Sequence, residues 1–466
     1  MDLRPVCLDV SGTPLVAFCG GIQPVFDNAA ETRGEHEGRT MPGVSGTRGF
    51  DSTTAFHYRD FRLFWSGQLV SMIGTWMQIT ASSWLLYDLT NSPFQLGLNG
   101  IFRFIPTITV GLLSGTIADR YDRKRLLLVT QTLLMLIAFL LGFLTQTGLI
   151  RVWHVYALTF LNAVIGSLDG PLRQAILPAL VPRLALPNAI AWNSAQWKST
   201  VLLGPSLAGI LISTVGTDGA FYANAVSFLA VLPVVFFMKI SSSGGARGGR
   251  FLKDIGEGFS YVFSQKTILA VLMMEATAAI FGIDQAMLTI FSRDILQVGA
   301  HGLGFLQSAR GLGAIIGSAV LLSVLQSRSQ GKILFVSALL YGASFALFGL
   351  SYSFPLSLTL LFIVGATDTT WGAARNTILQ IKTPEGMRGR VMGVLHLSSR
   401  GLSPLGQAET GFVVPLVGAR EATFLGGLVV AVMTLATAWS VPSLPRFKWG
   451  EEVRSKVSEV RGSEEA

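Results

Sequence analysis

Eleven ionisable side chains lie inside stretches that otherwise read as hydrocarbon. They are the cations Arg103, Arg173, Lys198, Arg310, Arg375 and Arg400, and the anions Asp169, Glu275, Asp284, Asp368 and Glu409. At roughly 2.5–3.5 kcal/mol per central charge, exposing all of them to lipid would cost on the order of 30 kcal/mol. They have to face a protein interior and largely pair, and six against five is close to balance. Charges kept in such a place bind polar solutes or relay protons. Burial disfavours the charged form of a carboxyl, so Glu275, Asp284, Asp169 and Asp368 are the candidates for a coupled proton. Arg173 and Arg375 read better as ion-pair partners; Asp169 and Arg173, four apart, share a helical face.

The elements that must position these groups follow from composition. Only 13% of the 466 residues are charged and 50% are hydrophobic, with a mean hydropathy of +0.53. A soluble domain carries about 25% charged residues, so this chain cannot clothe a water-facing surface and reads as an integral membrane protein. Its net charge of +8 suits basic loops beside a bilayer rather than nucleic acid. Cys7 and Cys19 are the only cysteines, so no disulfide framework or metal cage is expected. No CxxC, HExxH or GxxxxGK[ST] occurs, and neither a cofactor nor an enzymatic activity is expected.

Twelve apolar spans are expected, at 61–86, 95–118, 126–147, 153–180, 188–214, 218–239, 267–292, 302–325, 332–352, 355–381, 390–415 and 420–441. These are read as helices of about 20 residues or more. They group as an N-terminal half (59–240) and a C-terminal half (267–442), joined by a Gly-, Ser- and Arg-rich linker (241–266). Before them, residues 1–58 are polar and aperiodic and read as a disordered cytoplasmic segment, with Met41 a candidate start. Residues 443–466 form a cytoplasmic tail. Alternate loops divide the bases unevenly. One side holds Arg120, Arg123, Lys124, Arg125, Arg183, Lys239, Arg247, Arg250, Lys253, Lys266, Arg328, Lys332, Lys382, Arg388 and Arg390; the other holds Arg151, Arg293 and Arg420. The positive-inside rule then places both termini in the cytoplasm.

An internal repeat relates the halves. "LGLNGIFR" (96–103) returns as "LGFLQSAR" (303–310), and "RQAIL" (173–177) as "RNTIL" (375–379). At the latter offset Pro182, Lys198, Gly204 and Gly209 match Pro384, Arg400, Gly406 and Gly411. Two parallel six-helix repeats are the layout of a carrier whose halves rock around a midplane site. Counted at about 1.5 Å per residue from the ends near 188 and 390, Lys198 and Arg400 lie about 15 Å deep, at that midplane. They are the first choice for substrate binding, with the repeat-related Arg103 and Arg310 behind them. Trp76 and Trp197 could wall an amphipathic pocket, and His396 shares a helical face with Arg400. The GxxxG pairs Gly111/Gly115 and Gly313/Gly317 suit close helix crossing between sliding halves.

The loop "GTIADRYDRK" after the second span carries Gly115, Asp119, Arg120, Arg123 and Lys124. In type and place it resembles the G-x-x-x-D-R-x-G-R-[RK] motif of the major facilitator superfamily, with Asp122 where that motif has its inner glycine. Asp tolerates the left-handed backbone such a turn would use. The resemblance covers about residues 58–442. The segments "RDFRLFWSGQLVSMIGTWMQ", "DGPLRQAILPALVP" and "MRGRVMGV" are similar to the branch holding siderophore exporters and related drug and secretion transporters. Gly204, Pro205 and Gly209 match part of the antiporter pattern G-P-x-x-G-G, while Ala191, Thr200 and Ala208 depart from it. The resemblance implies an all-α membrane protein of twelve helices, a monomer in the cell membrane. It further implies a secondary transporter that exports a small organic molecule by proton antiport. It also implies that Asp119 latches the halves against the positive N-terminus of span 11, with Arg123 and Lys124 pairing acids or lipid headgroups. A lysolipid flippase or importer on the same fold, and a non-transporting scaffold or receptor, are the competing readings.

Overall fold

The structure, a computed structural model, describes residues 54–238, 251–324 and 329–447; side chains at 116, 118–120, 251–255 and 320–324 are outside the description. The expected N-terminal segment up to 53, most of the Gly/Ser/Arg run and the end of the tail therefore lie outside the described residues. So do the side chains of Asp119 and Arg120, and with them the expected latch.

All regular elements among the described residues are helical, and helices lie over each of the twelve spans. Five are single helices close to the spans expected in the N-terminal half: α1 (Arg59–Thr90), α2 (Pro93–Arg120), α3 (Arg123–Gln146), α4 (Val152–Leu180) and α5 (Leu186–Thr214). Span 6 is α6 (Thr217–Ser227), a 3-10 turn (Phe228–Ala230) and α7 (Leu232–Phe237). Pro233 falls in the first turn of α7, where its missing N–H costs nothing. Part of the linker is a helix, α8 (Phe251–Ser264), which Glu257 ties to Arg390 at 3.0 Å.

Span 7 is not the continuous helix expected. It is α9 (Lys266–Phe281), a break at Gly282–Asp284, α10 (Gln285–Ile290) and a π-turn (Phe291–Ile295). The break has a local cause. Asp284 caps α10 by accepting from the amides of Ala286 and Met287, and the Ile283 amide donates to the Tyr341 hydroxyl. Spans 8–10 are α11 (Gly299–Val324), α12 (Gln330–Leu350) and α13 (Phe354–Lys382). Span 11 is α14 (Glu385–His396), a second π-turn (Leu397–Gly401) and α15 (Ser403–Val417), and span 12 is α16 (Ala419–Ser440).

Among the described residues, seven segments are long and apolar enough to cross a bilayer by length and composition: those of spans 2, 3, 4, 6, 7, 9 and 12. The other five are α1, α5, α11, α13 and α14–α15; all but α1 carry interior charges, which lower their hydropathy. The halves meet along α2 with α15, α5 with α11 and α1 with α10. The first two contacts are exchanged by the repeat and the third maps on itself.

Each half is held by close crossings. Gly313 and Gly317 bring α11 against Phe362 and Ala366 of α13, within one half rather than between halves. Gly111 faces open space, against the expectation that its GxxxG pair packs. The crossings between halves use other glycines, Gly97 on Gly411 and Gly304 on Gly209. These pairs are repeat-related, since the two glycines of the α2 and α11 repeats are Gly97 and Gly304.

The charged loop also departs from expectation. Asp122 has φ −60° and ψ 110°, not a left-handed backbone, because it is the N-cap of α3 and accepts from the Lys124 and Arg125 amides at 2.9 and 3.1 Å. A carboxylate there satisfies two amides that a glycine would leave to water. Asp122→Ala is expected to cost the start of α3 about 1 kcal/mol. Hydrogen exchange at those two amides checks this, and wild-type protection in the variant would count against it.

Candidate functional site

The interior charges separate into held and unheld groups. On α4, Asp169 and Arg173 bond at 2.6 Å despite the intervening Pro171, and Thr130 and Gln131 of α3 donate to the same carboxylate. This cluster is buried within the N-terminal half. The repeat partner Arg375 on α13 also keeps an acid, Glu275 of α9, so each half has one buried arginine–carboxylate pair. Arg310 of α11 is paired with Asp368 of α13 at 3.5 Å, both side chains remaining accessible at 36% and 47%. Asp284 has no arginine bonded to it; besides its cap it accepts from the Thr410 hydroxyl of α15 at 2.5 Å. Glu409 is the neighbour of Thr410 on α15.

Lys198 and Arg400 have no acid partner among the described residues. The Lys198 ammonium donates to the hydroxyl of Ser318 on α11, across the gap between the halves. Arg400 lies in the second π-turn, where the Leu402 amide reaches the Leu397 carbonyl at 3.2 Å. Its guanidinium sits 4.7 Å over the ring of Trp197 on α5, the neighbour of Lys198. Trp76 of α1 meets Trp197 edge-on at 5.9 Å. Arg400 and Trp76 thus both contact Trp197, while Lys198, its neighbour on α5, reaches α11, and neither Glu275 nor Asp284 pairs with either cation among the described residues. Arg103 on α2 is half-buried and forms no ion pair among the described residues, whereas its repeat partner Arg310 does. His396 is exposed rather than packed.

Contacts between halves run from Asp88–Arg293, at the end remote from the charged loop, to Lys198–Ser318 and Ile108–Gly401 in mid-bundle. Arg400 is exposed although it lies in the middle of a span. These contacts thus lie at the remote end and in mid-bundle, away from the end bearing the loop 111–125. At that end the Lys124 ammonium donates to the Met238 carbonyl at 2.6 Å. A separate hollow between α1 and α7, walled by Arg59, Asp60, Leu63 and Phe237, is away from the interior charges.

The profile of the transmembrane secretion effector family matches residues 51–461. The chain is a major facilitator transporter of that family. The staphyloferrin A transporter of Staphylococcus aureus is 23% identical over 383 residues, 80% of this chain and 94% of that protein. The enterobactin exporter of Escherichia coli O139:H28 is 25% identical over 384 residues, 80% and 91% of the two chains. In fold, the transporter matches a bacterial homologue of the lysosomal transporter Spinster, solved inward-facing and unoccupied, with a TM-score of 0.65 at 12% identity. That match covers 84% of this chain and 98% of the other. The transporter is thus an all-α, multi-pass membrane protein with a small-molecule substrate, and not an enzyme.

Sequence reasoning missed the polar contacts that close the remote end of this transporter, where Asp88 and Tyr87 of α1 meet Arg293 and Asp294 of the first π-turn. A signal existed: Arg293 is one of only three bases on the base-poor side. Glu409 was among the interior acids but not among the proton carriers, and the bond that its neighbour Thr410 makes to Asp284 is a tertiary contact no local spacing marks.

Proposed function

We propose that this transporter exports a small organic molecule bearing an anionic or strongly polar group, in exchange for protons, by alternating access around Lys198 and Arg400. The observation that carries the reading is a pair of repeat-related cations in mid-bundle with no acid beside them among the described residues. A charge kept unneutralised at that depth is expensive, so a bound anion completes what the protein leaves open. Because the cations belong to opposite halves, one ligand engages both and favours the conformations that bring them together. Trp76 and Trp197 supply an apolar wall beside them, and Arg103 adds positive charge. Arg310 is a weaker candidate because Asp368 holds it.

Asp284 is the favoured proton carrier, since the other three candidate acids each have an arginine partner. The uneven distribution of bases supports an orientation with the charged loop and both termini in the cytoplasm of a cell whose plasma or inner membrane holds the monomer. The conformation described is then inward-open, the state in which an exporter loads. Export is favoured over import by the relatives named for a transporter of staphyloferrin A and an exporter of enterobactin.

Efflux from a pump-deficient strain, over a panel including these two compounds and anionic drugs, tests the reading. Lys198→Ala and Arg400→Ala are each expected to lower binding of an anionic substrate by about 5–150-fold, the range of 1–3 kcal/mol, with expression unchanged. Unimpaired export of an anionic substrate by both variants would sink the assignment.

A further inference from the structure

The two halves treat one pair of equivalent positions differently. The repeat that matches α2 to α11 sets Arg103 opposite Arg310, and the repeat that matches Arg173 to Arg375 sets Gly166 opposite Asp368. In the C-terminal half these positions make an ion pair, Arg310 with Asp368 at 3.5 Å. In the N-terminal half the cation is kept, but glycine stands in the acid's place. Among the described residues Arg103 makes no ion pair. The levels correspond: Gly166 and Asp368 each lie fourteen residues beyond the first residue of α4 and of α13. So does the packing, since α2 lies on α4 as α11 lies on α13.

The glycine faces open space. A Cβ at Gly166 would meet nothing within 4 Å, and neither would one at Gly170, a turn further along. That space is on the bundle side of α4. Trp153 and Leu161 are large, apolar and exposed, and mark the face turned to lipid. Gly170 falls about two and a half turns beyond Leu161, on the opposite face. Gln174, a turn beyond Gly170 on that same face, is exposed too, and its amide can donate to an anion. An arginine left alone at this depth is expensive. A carboxylate offsets that cost best, because its two oxygens match the guanidinium fork.

We propose that Arg103 and the face of α4 bearing Gly166, Gly170 and Gln174 form a second anion subsite. In it a carboxylate of the transported solute takes the place that the Asp368 carboxylate takes beside Arg310. The proposal rests on the reading of Lys198 and Arg400 as the first subsite and narrows the substrate class. A solute that fills both carries at least two acidic groups, one of them a carboxylate.

The test reads charge at the subsite. Gly170→Cys is introduced into the full-length chain in lipid nanodiscs, with Cys7 and Cys19 replaced by serine. Its labelling by sulfonatoethyl methanethiosulfonate, an anion, is compared with labelling by the cationic trimethylammonioethyl reagent, each rate taken relative to a free thiol. The anion is expected to be favoured about tenfold or more, as a cleft of one sign favours the opposite charge. Arg103→Gln and Gly166→Asp should each abolish the preference, the first by removing the cation and the second by supplying the acid. Arg103→Lys should keep it. Gly166→Asp grows into open space, so it carries the test even where Arg103→Gln does not fold. Tricarballylate, a small tricarboxylate, should slow the labelling, and its uncharged triamide should not. No preference for the anion, a preference that survives Gly166→Asp, or equal effects of the acid and its triamide would overturn the subsite. Unimpaired export of anionic substrates by Lys198→Ala and Arg400→Ala, with the labelling responses as expected, would instead sink the first subsite and leave a solute needing one carboxylate.

Discussion

Replacing Gly411 with valine is expected to reduce transport by about 5–150-fold, the population shift that 1–3 kcal/mol produces, while leaving the protein folded. A Cβ at Gly411 would lie 2.2 Å from the Gly97 Cα and 2.6 Å from its nitrogen. Those atoms are backbone and cannot rotate aside, so α15 and α2 must part. Overpacking of this kind costs typically 1–3 kcal/mol, and under the alternating access proposed above the cost falls on the conformation in which α2 and α15 cross here. Gly304→Val should act alike, meeting the Pro205 carbonyl at 2.9 Å and the Gly209 Cα at 3.3 Å. Two controls separate gating from folding. Gly111→Val meets nothing within 4 Å and should be silent, whereas Gly313→Val would strike the Phe362 carbonyl at 2.0 Å inside one half and should lower the melting temperature instead. Labelling of a cysteine near the closed end, alongside transport, checks all four. Normal transport and protection in Gly411→Val would show that the crossing does not gate.

Removing Arg375 is expected to be the most destabilising single change in the interior, at about 3–5 kcal/mol. Its pair with Glu275 is well buried, each side chain 13% accessible, so Arg375→Ala strands a carboxylate out of water. Arg310→Ala should cost no more than about 1 kcal/mol, because Arg310 and Asp368 are both partly hydrated and stand 3.5 Å apart. Thermal unfolding in one detergent compares the two. Replacing both partners by apolar residues of similar volume, Glu275→Leu with Arg375→Met, should recover most of the loss, since breaking a buried pair is worse than never making it. Equal melting temperatures for Arg375→Ala and Arg310→Ala would refute this ordering.

Features carried by local spacing were legible in the sequence. Asp169 and Arg173 are four apart on one helix, so their contact follows from helix geometry, and long apolar runs marked each span. Partners brought together by tertiary packing were not. Glu275 and Arg375 are a hundred positions apart, and on sequence grounds Glu275 could equally have neutralised Lys198 or Arg400. The repeat pointed to Gly97, Gly209, Gly304 and Gly411 as equivalents without showing that they meet one another across the halves. Asp122 was misread because Asp suits both a left-handed turn and an N-cap; the amides of Lys124 and Arg125 decide between them. The two π-turns left no pattern at all. Each alters register locally inside an apolar run, yet Arg293 and Arg400 reach the other half from them.

The meeting of bare backbones at Gly97–Gly411 and Gly209–Gly304 also bears on pharmacology. Helices that touch at glycine leave no crevice at the crossing, so a molecule arriving at either of these seams finds nothing to fill. Under the orientation proposed above, the seams look outward. An inhibitor that traps this state would have to be membrane-permeant, reaching the indoles and cations from inside the cell, and a large or highly charged compound applied externally would have to wait for the opposite state.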